Sequence, residues 1–249
     1  MLTRASIVDA VHAALAALPH VRACFLAGSE AFGRADRWSD IDINCVTDLA
    51  YAPANFAAVE AALAALSPIA ITLEMPPSGL WPELAQRFYR LRDTDEFLMV
   101  DFCQLTPAQV QTFLEPTRHG TPVVLFDRDG LLKPVVLDRA AHDAQIRARL
   151  AYLRNAFPMF QNLVRKALLR GDLTEAMAVY LGHTMRPLVE ALRIRHCPER
   201  FDFGFRYTSH DLPPDIAREL QVLMWPRDPD DMRAKLNRAE ALFTDVLRV

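Results

Sequence analysis

The stretch that decides the fold is FLAGSEAFGRADRWSDIDINCV, which occupies residues 25–46. It continues a short apolar run that begins at residue 21, and such a run predicts a buried strand. This strand ends at Gly28 and Ser29, and a polar spacer of ten residues follows. Asp40 then opens a segment in which polar and apolar residues alternate, and this period predicts a second strand. The stretch therefore encodes two strands joined by a Gly-Ser turn and a polar link.

Side chains of the second strand separate onto two faces, because successive residues of a strand point in opposite directions. Asp40, Asp42 and Asn44 share one face, and Ile41 and Ile43 share the other, which we expect to face the core. Two neighbouring carboxylates repel each other, and a divalent cation relieves that repulsion. Mg²⁺ prefers carboxylate oxygens together with the phosphate oxygens of a substrate. Two such ions can clamp the attacking and leaving oxygens of a phosphoryl transfer. For Asn44, a hydrogen bond within the sheet is an equally good interpretation.

The Gly-Ser turn suits a phosphate group. Gly28 has no side chain, so a phosphate can approach the backbone closely. Ser29 offers a hydroxyl and a backbone N–H at the start of the following helix, where N–H groups favour an anion. Arg34, Arg37 and Trp38 of the spacer could contact a triphosphate or a base, although a solvated loop is the stronger expectation for them. Together with the carboxylates, the turn predicts a site for a nucleotide and its metal ions.

These residues resemble the pattern of the DNA polymerase β-like nucleotidyltransferase superfamily. In that family an apolar strand ends in Gly-Ser or Gly-Gly, and Asp-x-Asp or Asp-x-Glu follows after about a dozen residues. Here the pattern stands as LAGS, the ten-residue spacer and DIDI. The family carries a third carboxylate on a later strand. Asp101 in FLMVDFCQL matches it, and a lone aspartate among apolar neighbours needs a reason; the alternative interpretation is an edge-strand aspartate that pairs with an arginine.

The resemblance implies a fold and a reaction. The fold is a small mixed sheet with helices, and the reaction is attack of an acceptor hydroxyl on the α-phosphorus of a nucleoside triphosphate, with release of pyrophosphate. Asp40, Asp42 and Asp101 would bind two Mg²⁺ ions, and Gly28 and Ser29 would bind the nucleotide, for which ATP is expected. Asp101 has two open roles, as a metal ligand or as the general base for the acceptor hydroxyl. Catalysis would consist mainly of positioning and charge neutralisation.

The remaining segments change near residue 138 from a mixture of predicted helices and strands to predicted helices. Before that point the pattern predicts helices over residues 7–18, 55–66 and 83–91, and further strands over residues 69–74, 97–105 and 123–126. After it we expect helices almost alone. Asp138 would cap the first of these, which Pro158 would kink, and Pro187 would lie inside a later helix.

The predicted fold class is therefore α/β (α+β): a nucleotidyltransferase core with a mixed sheet, followed by an all-α helical bundle. We place the nucleotidyltransferase catalytic domain over residues 1–138 and a helical substrate-binding domain over residues 139–249. The order of the two domains resembles that of aminoglycoside and lincosamide adenylyltransferases, and the role of the helical domain is implied by that resemblance alone.

The composition of the chain limits the classes of partner that it is expected to bind. The chain of 249 residues is 51% hydrophobic and 24% charged, which is typical of a soluble globular protein. Its net charge of −3 offers no excess of positive charge, which argues against a nucleic-acid partner. The apolar runs are shorter than the roughly 20 residues that cross a bilayer, so we expect no membrane association. The four cysteines, Cys24, Cys45, Cys103 and Cys197, have no paired spacing, and we expect buried free thiols in a cytoplasmic protein.

The expected function is thus Mg²⁺-dependent transfer of a nucleoside monophosphate, with AMP as the first choice, to a hydroxyl of a small-molecule acceptor. Two alternatives stay open. The acceptor is a protein or an RNA end, or the chain is a nucleotide-binding regulatory module that has lost catalysis. The retained carboxylates weigh against lost catalysis, and the acidic balance weighs against RNA. The identity of the acceptor and the oligomeric state do not follow from the sequence.

Overall fold

A computed structural model describes residues 2–76 and 84–248 of the chain. They form two compact units, Met1–Leu137 and Asp138–Val249. The first unit contains a mixed sheet with helices, and the second is helical throughout its described residues. The expected fold class, a mixed sheet followed by an all-helical region, is confirmed. The roles of the units in catalysis and in substrate binding stay predictions.

The first unit is built around a six-stranded sheet in the order β3-β4-β5-β2-β1-β6. Its elements are α1 (Arg4–Ala16), β1 (Ala23–Leu26), α2 (Gly28–Ala31), β2 (Ile41–Val46), α3 (Ala52–Leu66), β3 (Ile69–Glu74), β4 (Ala85–Leu91), β5 (Val100–Leu105), α4 (Pro116–His119) and β6 (Val123–Asp127). Strands β2 and β5 run parallel, and the other neighbouring pairs run antiparallel. The sheet is therefore mixed, with its parallel pair at the centre.

Strand β2 shows how the two faces of the sheet differ. Ile41 and Ile43 are fully buried in a cluster with apolar side chains of α1 and α3. Asp42 and Asn44 alternate with them and are only partly buried. Farther along the strand, Val46 belongs to a separate, smaller cluster. The polar residues at the start of β2 therefore face away from the main core, as the alternation predicts.

The segment predicted to be a helix over residues 83–91 is strand β4 instead. Residue 83 lies outside the described residues. The segment from residue 85 pairs with β3 on one side and with β5 on the other. Arg87 lies opposite Glu74 and forms an ion pair of 2.5 Å with it. Tyr89, which is almost fully buried, is a residue type that favours strands. The prediction was wrong because these cross-strand partners are distant in sequence and outweigh local helix propensity.

Strand β5 begins three residues later than predicted, at Val100 instead of residue 97. The residues before it form a turn in which the Asp95 carboxylate accepts a hydrogen bond of 3.1 Å from the backbone N–H of Phe97. Because this N–H bonds to a side chain, it does not take part in strand pairing. Half of the Phe97 side chain is exposed as a result, at 51%.

The segment Leu49–Leu66, which includes α3, is long and apolar enough to cross a membrane by length and composition. The expectation that no apolar run reaches this length was therefore wrong for one helix. Phe56, Val59 and Leu63 on this helix are buried in the main core of the first unit. A helix that packs in a core has the same composition, so this single segment is weak evidence for a membrane.

The second unit comprises α5 (Arg139–Arg170), α6 (Leu173–Val179), α7 (Arg186–His196), α8 (Thr208–Asp211), α9 (Pro214–Met224) and α10 (Pro229–Val246). Asp138 caps α5 as predicted, because its carboxylate accepts a hydrogen bond of 3.0 Å from the N–H of Ala141. Helix α5 continues through Pro158, where the sequence predicts a kink. It ends at Gly171, which has a φ of 75° and closes the helix in the left-handed region.

Pro187 lies inside a continuous helical run, as predicted, shortly after a π-helical segment of that run. The helix expected around it is divided by a π-helical segment, Tyr180–Met185, which separates α6 from α7. Proline has no backbone N–H to donate, so it is tolerated in the first turn of a helix. Pro187 occupies that place in α7, and the π-helical segment absorbs the interruption.

Arg193 is the most deeply buried charged residue in the described part of the helical unit. Its guanidinium donates to the Asp211 carboxylate at 2.9 Å, and both side chains are fully buried. It also donates to the backbone carbonyls of Gly204 at 2.7 Å, Arg200 at 3.3 Å, and Arg206. Such pairing offsets the cost of burying a charge. This one side chain therefore holds the irregular segment between α7 and α8 against α7.

We predict that Arg193→Met lowers the free energy of unfolding by about 3–5 kcal/mol, because it leaves three backbone carbonyls without their donor and the buried Asp211 carboxylate with Arg200 as its remaining cationic partner, at 3.0 Å. Urea unfolding followed by circular dichroism measures the loss. The matched control is Arg195→Met on the same helix. Arg195 is exposed and donates to a surface carbonyl, so its loss should stay within about 0.5 kcal/mol. Equal losses in the two variants would contradict a structural role for the buried guanidinium.

Candidate active site

Asp42 and Asp101 lie side by side on the parallel strands β2 and β5. They are register partners, and each is the second residue of its strand. Neighbouring strands lie about 4.8 Å apart, so the two side chains leave the same face of the sheet at close range. Cys103 follows on that face, and the negative charge of Asp101 adds to burial in raising the pKa of its thiol. Two predicted site residues thus meet where β2 and β5 begin.

Gly28 brings the backbone against the Asp42 carboxylate. It follows β1, has a φ of 56°, and would place a Cβ atom 2.6 Å from the Asp42 Cγ and 3.3 Å from its Oδ1. Real side chains do not approach this closely, so only glycine fits. The preceding residue, Ala27, donates its N–H to the Asp42 carbonyl at 3.0 Å and fixes the separation of the two segments. The Asp42 carboxylate therefore fills the space that a side chain at residue 28 would occupy.

Ser29 contributes a buried hydroxyl. Among the residues that the structure describes, its Oγ has no hydrogen-bond partner, although the atom is shielded from solvent. A buried hydroxyl without a partner costs free energy, and binding of an acceptor atom would relieve that cost. Helix α2 has only four residues, so its dipole contributes less to anion binding than the sequence suggested. The hydroxyl itself is the stronger indication of a ligand.

Asp40 lies directly before β2 and is held there by Arg4 of α1. The Arg4 guanidinium donates to the carbonyls of Asp40 at 3.0 Å and of Ser39, and to the Glu30 carboxylate at 2.6 Å. Partial burial raises the pKa of the Asp40 carboxyl, and the positive charge of Arg4 opposes that shift. Arg4 therefore ties the end of the spacer to α2, the helix that carries Ser29. Sequence reasoning missed it, because nothing in the pattern around an N-terminal arginine points to this loop.

Gln86 is the second residue that the sequence did not indicate. Its side-chain amide donates to Asp101 Oδ1 at 2.7 Å from the adjacent strand β4. The bond orients the carboxylate. No sequence signal could have identified this residue while its segment was predicted to be helical, since its contact with Asp101 depends on strand pairing.

Joint ligation by three carboxylates stays a prediction. Across residues 2–76 and 84–248, the structure contains no group of three or more His, Cys, Asp or Glu side chains placed to hold a metal ion. Asp42 and Asp101 are brought together by register, and Asp40 precedes Asp42 by two residues on the same strand path. Mg²⁺ is commonly bound through one or two carboxylates and completed by substrate phosphates and water. The carboxylate pair therefore offers the oxygen ligands that suit Mg²⁺ bound together with a nucleotide.

Two solved structures are similar to the chain over most of its length. An aminoglycoside 6-adenyltransferase from Bacillus subtilis aligns over 99% of this chain and 90% of its own, with 13% identity and a TM-score of 0.39. A nucleotidyltransferase-like protein from Exiguobacterium sibiricum aligns over 96% of this chain and 74% of its own, with 12% identity and a TM-score of 0.35. No protein-family model matches the sequence, and no curated protein matches it. Because these TM-scores and identities are low, the chemistry rests on the site residues themselves.

Gly28→Ala and Gly33→Ala together test the close packing at the site. Both glycines have a positive φ, 56° and 62°, so alanine strains either backbone by about 1–2 kcal/mol. A Cβ on Gly33 meets nothing within 4 Å, whereas one on Gly28 overlaps the Asp42 carboxylate. We therefore expect Gly28→Ala to lower the free energy of unfolding by at least about 1 kcal/mol more than Gly33→Ala, because overpacking adds to the strain. Equal losses in urea unfolding would show that Asp42 does not occupy this position.

Proposed function

We propose that the protein is a Mg²⁺-dependent nucleotidyltransferase that moves AMP from ATP to a hydroxyl of a small-molecule acceptor and releases pyrophosphate. The observation that carries the proposal is the pairing of Asp42 with Asp101 beside Gly28, with the unpartnered hydroxyl of Ser29 next in the chain. Each of these features suits a phosphate group and its cation. Two like charges in register on adjacent strands destabilise a sheet, and a bound cation would offset that cost.

Asp42 and Asp101, with Asp40, would hold the metal ions. When bound, Mg²⁺ neutralises the phosphate oxygens and stabilises the charge that develops on the leaving pyrophosphate. The protein supplies the geometry. Gly28 lets the Asp42 carboxylate lie against the backbone next to Ser29, and the Ser29 hydroxyl donates to a β- or γ-phosphate oxygen, which gives this hydroxyl its missing partner.

The chemical step is an in-line displacement. The acceptor oxygen forms a bond to the α-phosphorus, the bond from that phosphorus to the bridging oxygen breaks, and pyrophosphate leaves with the bonding electron pair. The acceptor proton must go to a base. Asp101 can take this proton if it is not occupied as a metal ligand, and Gln86 would then hold its carboxylate toward the acceptor. Both roles of Asp101 remain within the proposal.

A small hydroxylated acceptor fits the charge balance better than an RNA end, because the net charge is −3. We also place the protein in the cytoplasm. Its four cysteines are free and buried, and burial raises the pKa of the Cys24 thiol to about 12. Unpaired thiols of this kind are typical of a reducing compartment.

We predict that Asp42→Asn lowers kcat/KM for nucleotidyl transfer at least about 10³-fold, or roughly 4 kcal/mol, because it removes a negative metal ligand without changing side-chain size. Formation of labelled product from α-labelled ATP, Mg²⁺ and a panel of hydroxylated small molecules measures it. Asp48→Asn is the matched control at the other end of β2. Asp48 accepts a hydrogen bond from the N–H of Ala50, and asparagine can accept the same bond, so activity should not change. Full activity of Asp42→Asn would show that the metal site lies elsewhere.

A further inference from the structure

Two exposed aromatic side chains lie together near the end of the sheet at which β2 and β5 begin. Trp38 is 53% exposed and Phe97 is 51% exposed, and their rings meet edge to face with centroids 5.0 Å apart. Trp38 is in the spacer before β2, and Phe97 is in the turn before β5. We call these two residues the aromatic ledge. Large exposed aromatic side chains in contact are more typical of a binding surface than of a loop that binds no ligand.

Hydrogen bonds from the backbone N–H groups of both ledge residues hold the ledge in place. The Asp36 carboxylate accepts a hydrogen bond of 2.9 Å from the N–H of Trp38, and Asp95 does the same for Phe97 at 3.1 Å. Between the ledge and the strands, the N–H of Ile41 donates to the carbonyl of Met99 at 2.9 Å, which ties the two segments together. Both rings are therefore presented by turns of the same kind on joined segments.

Positively charged side chains lie in the spacer beside the ledge. The guanidinium carbon of Arg37 lies 3.9 Å from the centroid of the Trp38 ring, and that of Arg34 lies 5.1 Å from the Phe32 ring. Among the described residues, neither arginine forms an ion pair with a carboxylate. Each guanidinium keeps its charge available to an anion while it stacks on an aromatic face.

Chain distance places the ledge close to the carboxylate pair. Trp38 precedes Asp42 by four residues, and Phe97 precedes Asp101 by four. Four residues span at most about 14 Å even when fully extended, which limits the distance from each aromatic residue to its aspartate. A ligand with phosphates at Gly28 and Ser29 thus has an aromatic surface within a short reach.

We propose that the aromatic ledge binds the base of the nucleoside triphosphate, with Arg37 facing its anionic part. This inference rests on the proposed function, because it concerns the substrate of that site. A planar base attached to a polyanion matches both the ring surface and the unpaired positive charge. A saturated hydroxylated acceptor has no aromatic face to stack, and a cationic acceptor would be repelled by Arg34 and Arg37. The ledge therefore suits the nucleotide better than the acceptor.

Binding of ATP and of inorganic tripolyphosphate, each with Mg²⁺, separates base recognition from phosphate recognition. Tripolyphosphate carries the charge and lacks the base. We expect Trp38→Ala to weaken ATP binding about ten-fold in calorimetry, since stacking on one aromatic side chain has this order of effect, and to leave tripolyphosphate binding unchanged. Phe97→Ala should act in the same direction. Trp225→Ala is the matched control, because Trp225 is a similarly exposed tryptophan at 77%, in the helical unit.

The outcomes distinguish the two proposals. If the wild-type protein binds neither ligand, the proposed function and the ledge both fail. If the wild type binds both ligands and Trp38→Ala binds ATP with unchanged affinity, the proposed function stands and the base-binding role of the ledge is overturned. Equal weakening of ATP and tripolyphosphate overturns it as well, since the effect would then come from the phosphate site. A raised acceptor KM with unchanged ATP binding would assign the ledge to the acceptor.

Discussion

The parallel pairing of β2 with β5 is the constraint on which the site depends. It sets Asp42 opposite Asp101, although 59 residues of chain separate them along the sequence. The same pairing fixes the faces, because Ile41 and Ile43 enter the main core only in a register that turns Asp42 away from it. A slip of one residue would exchange these faces and bury the carboxylate. Core packing therefore enforces the geometry of the carboxylate pair.

Buried polar groups in the two units illustrate two different uses of the same physical rule. In the helical unit, the Arg193 guanidinium donates to Asp211 and to three backbone carbonyls, and Arg200 forms an ion pair of 3.0 Å with the other oxygen of the same carboxylate. A cluster that is satisfied in this way stabilises a fold. Ser29, in the first unit, keeps a buried hydroxyl with no partner among the described residues. A buried polar group without a partner lowers the stability of the fold. A ligand that forms a hydrogen bond with the group would offset that loss.

Residues that carry the motif are supported by residues that do not belong to it. Arg4 reaches from the first turn of α1 to the end of the spacer, and Gln86 reaches from β4 to Asp101. Both act on groups that are distant in sequence, and both bonds involve a charged group, which makes them stronger than neutral hydrogen bonds. The motif alone would not hold its side chains in fixed positions. The supporting residues come from elements on either side of it.

The sequence by itself determined the strand before the Gly-Ser turn, the alternation that turns Asp42 and Asn44 away from Ile41 and Ile43, and the change to helices near residue 138. These follow from local rules of period, chain reversal and capping, and they extend over a few residues. The strand nature of β4, the pairing of Asp42 with Asp101 and the meeting of Trp38 with Phe97 were decided only by the tertiary structure. Each joins segments that are far apart in the chain, and the free energy that selects them comes from strand pairing and burial, which no local pattern encodes.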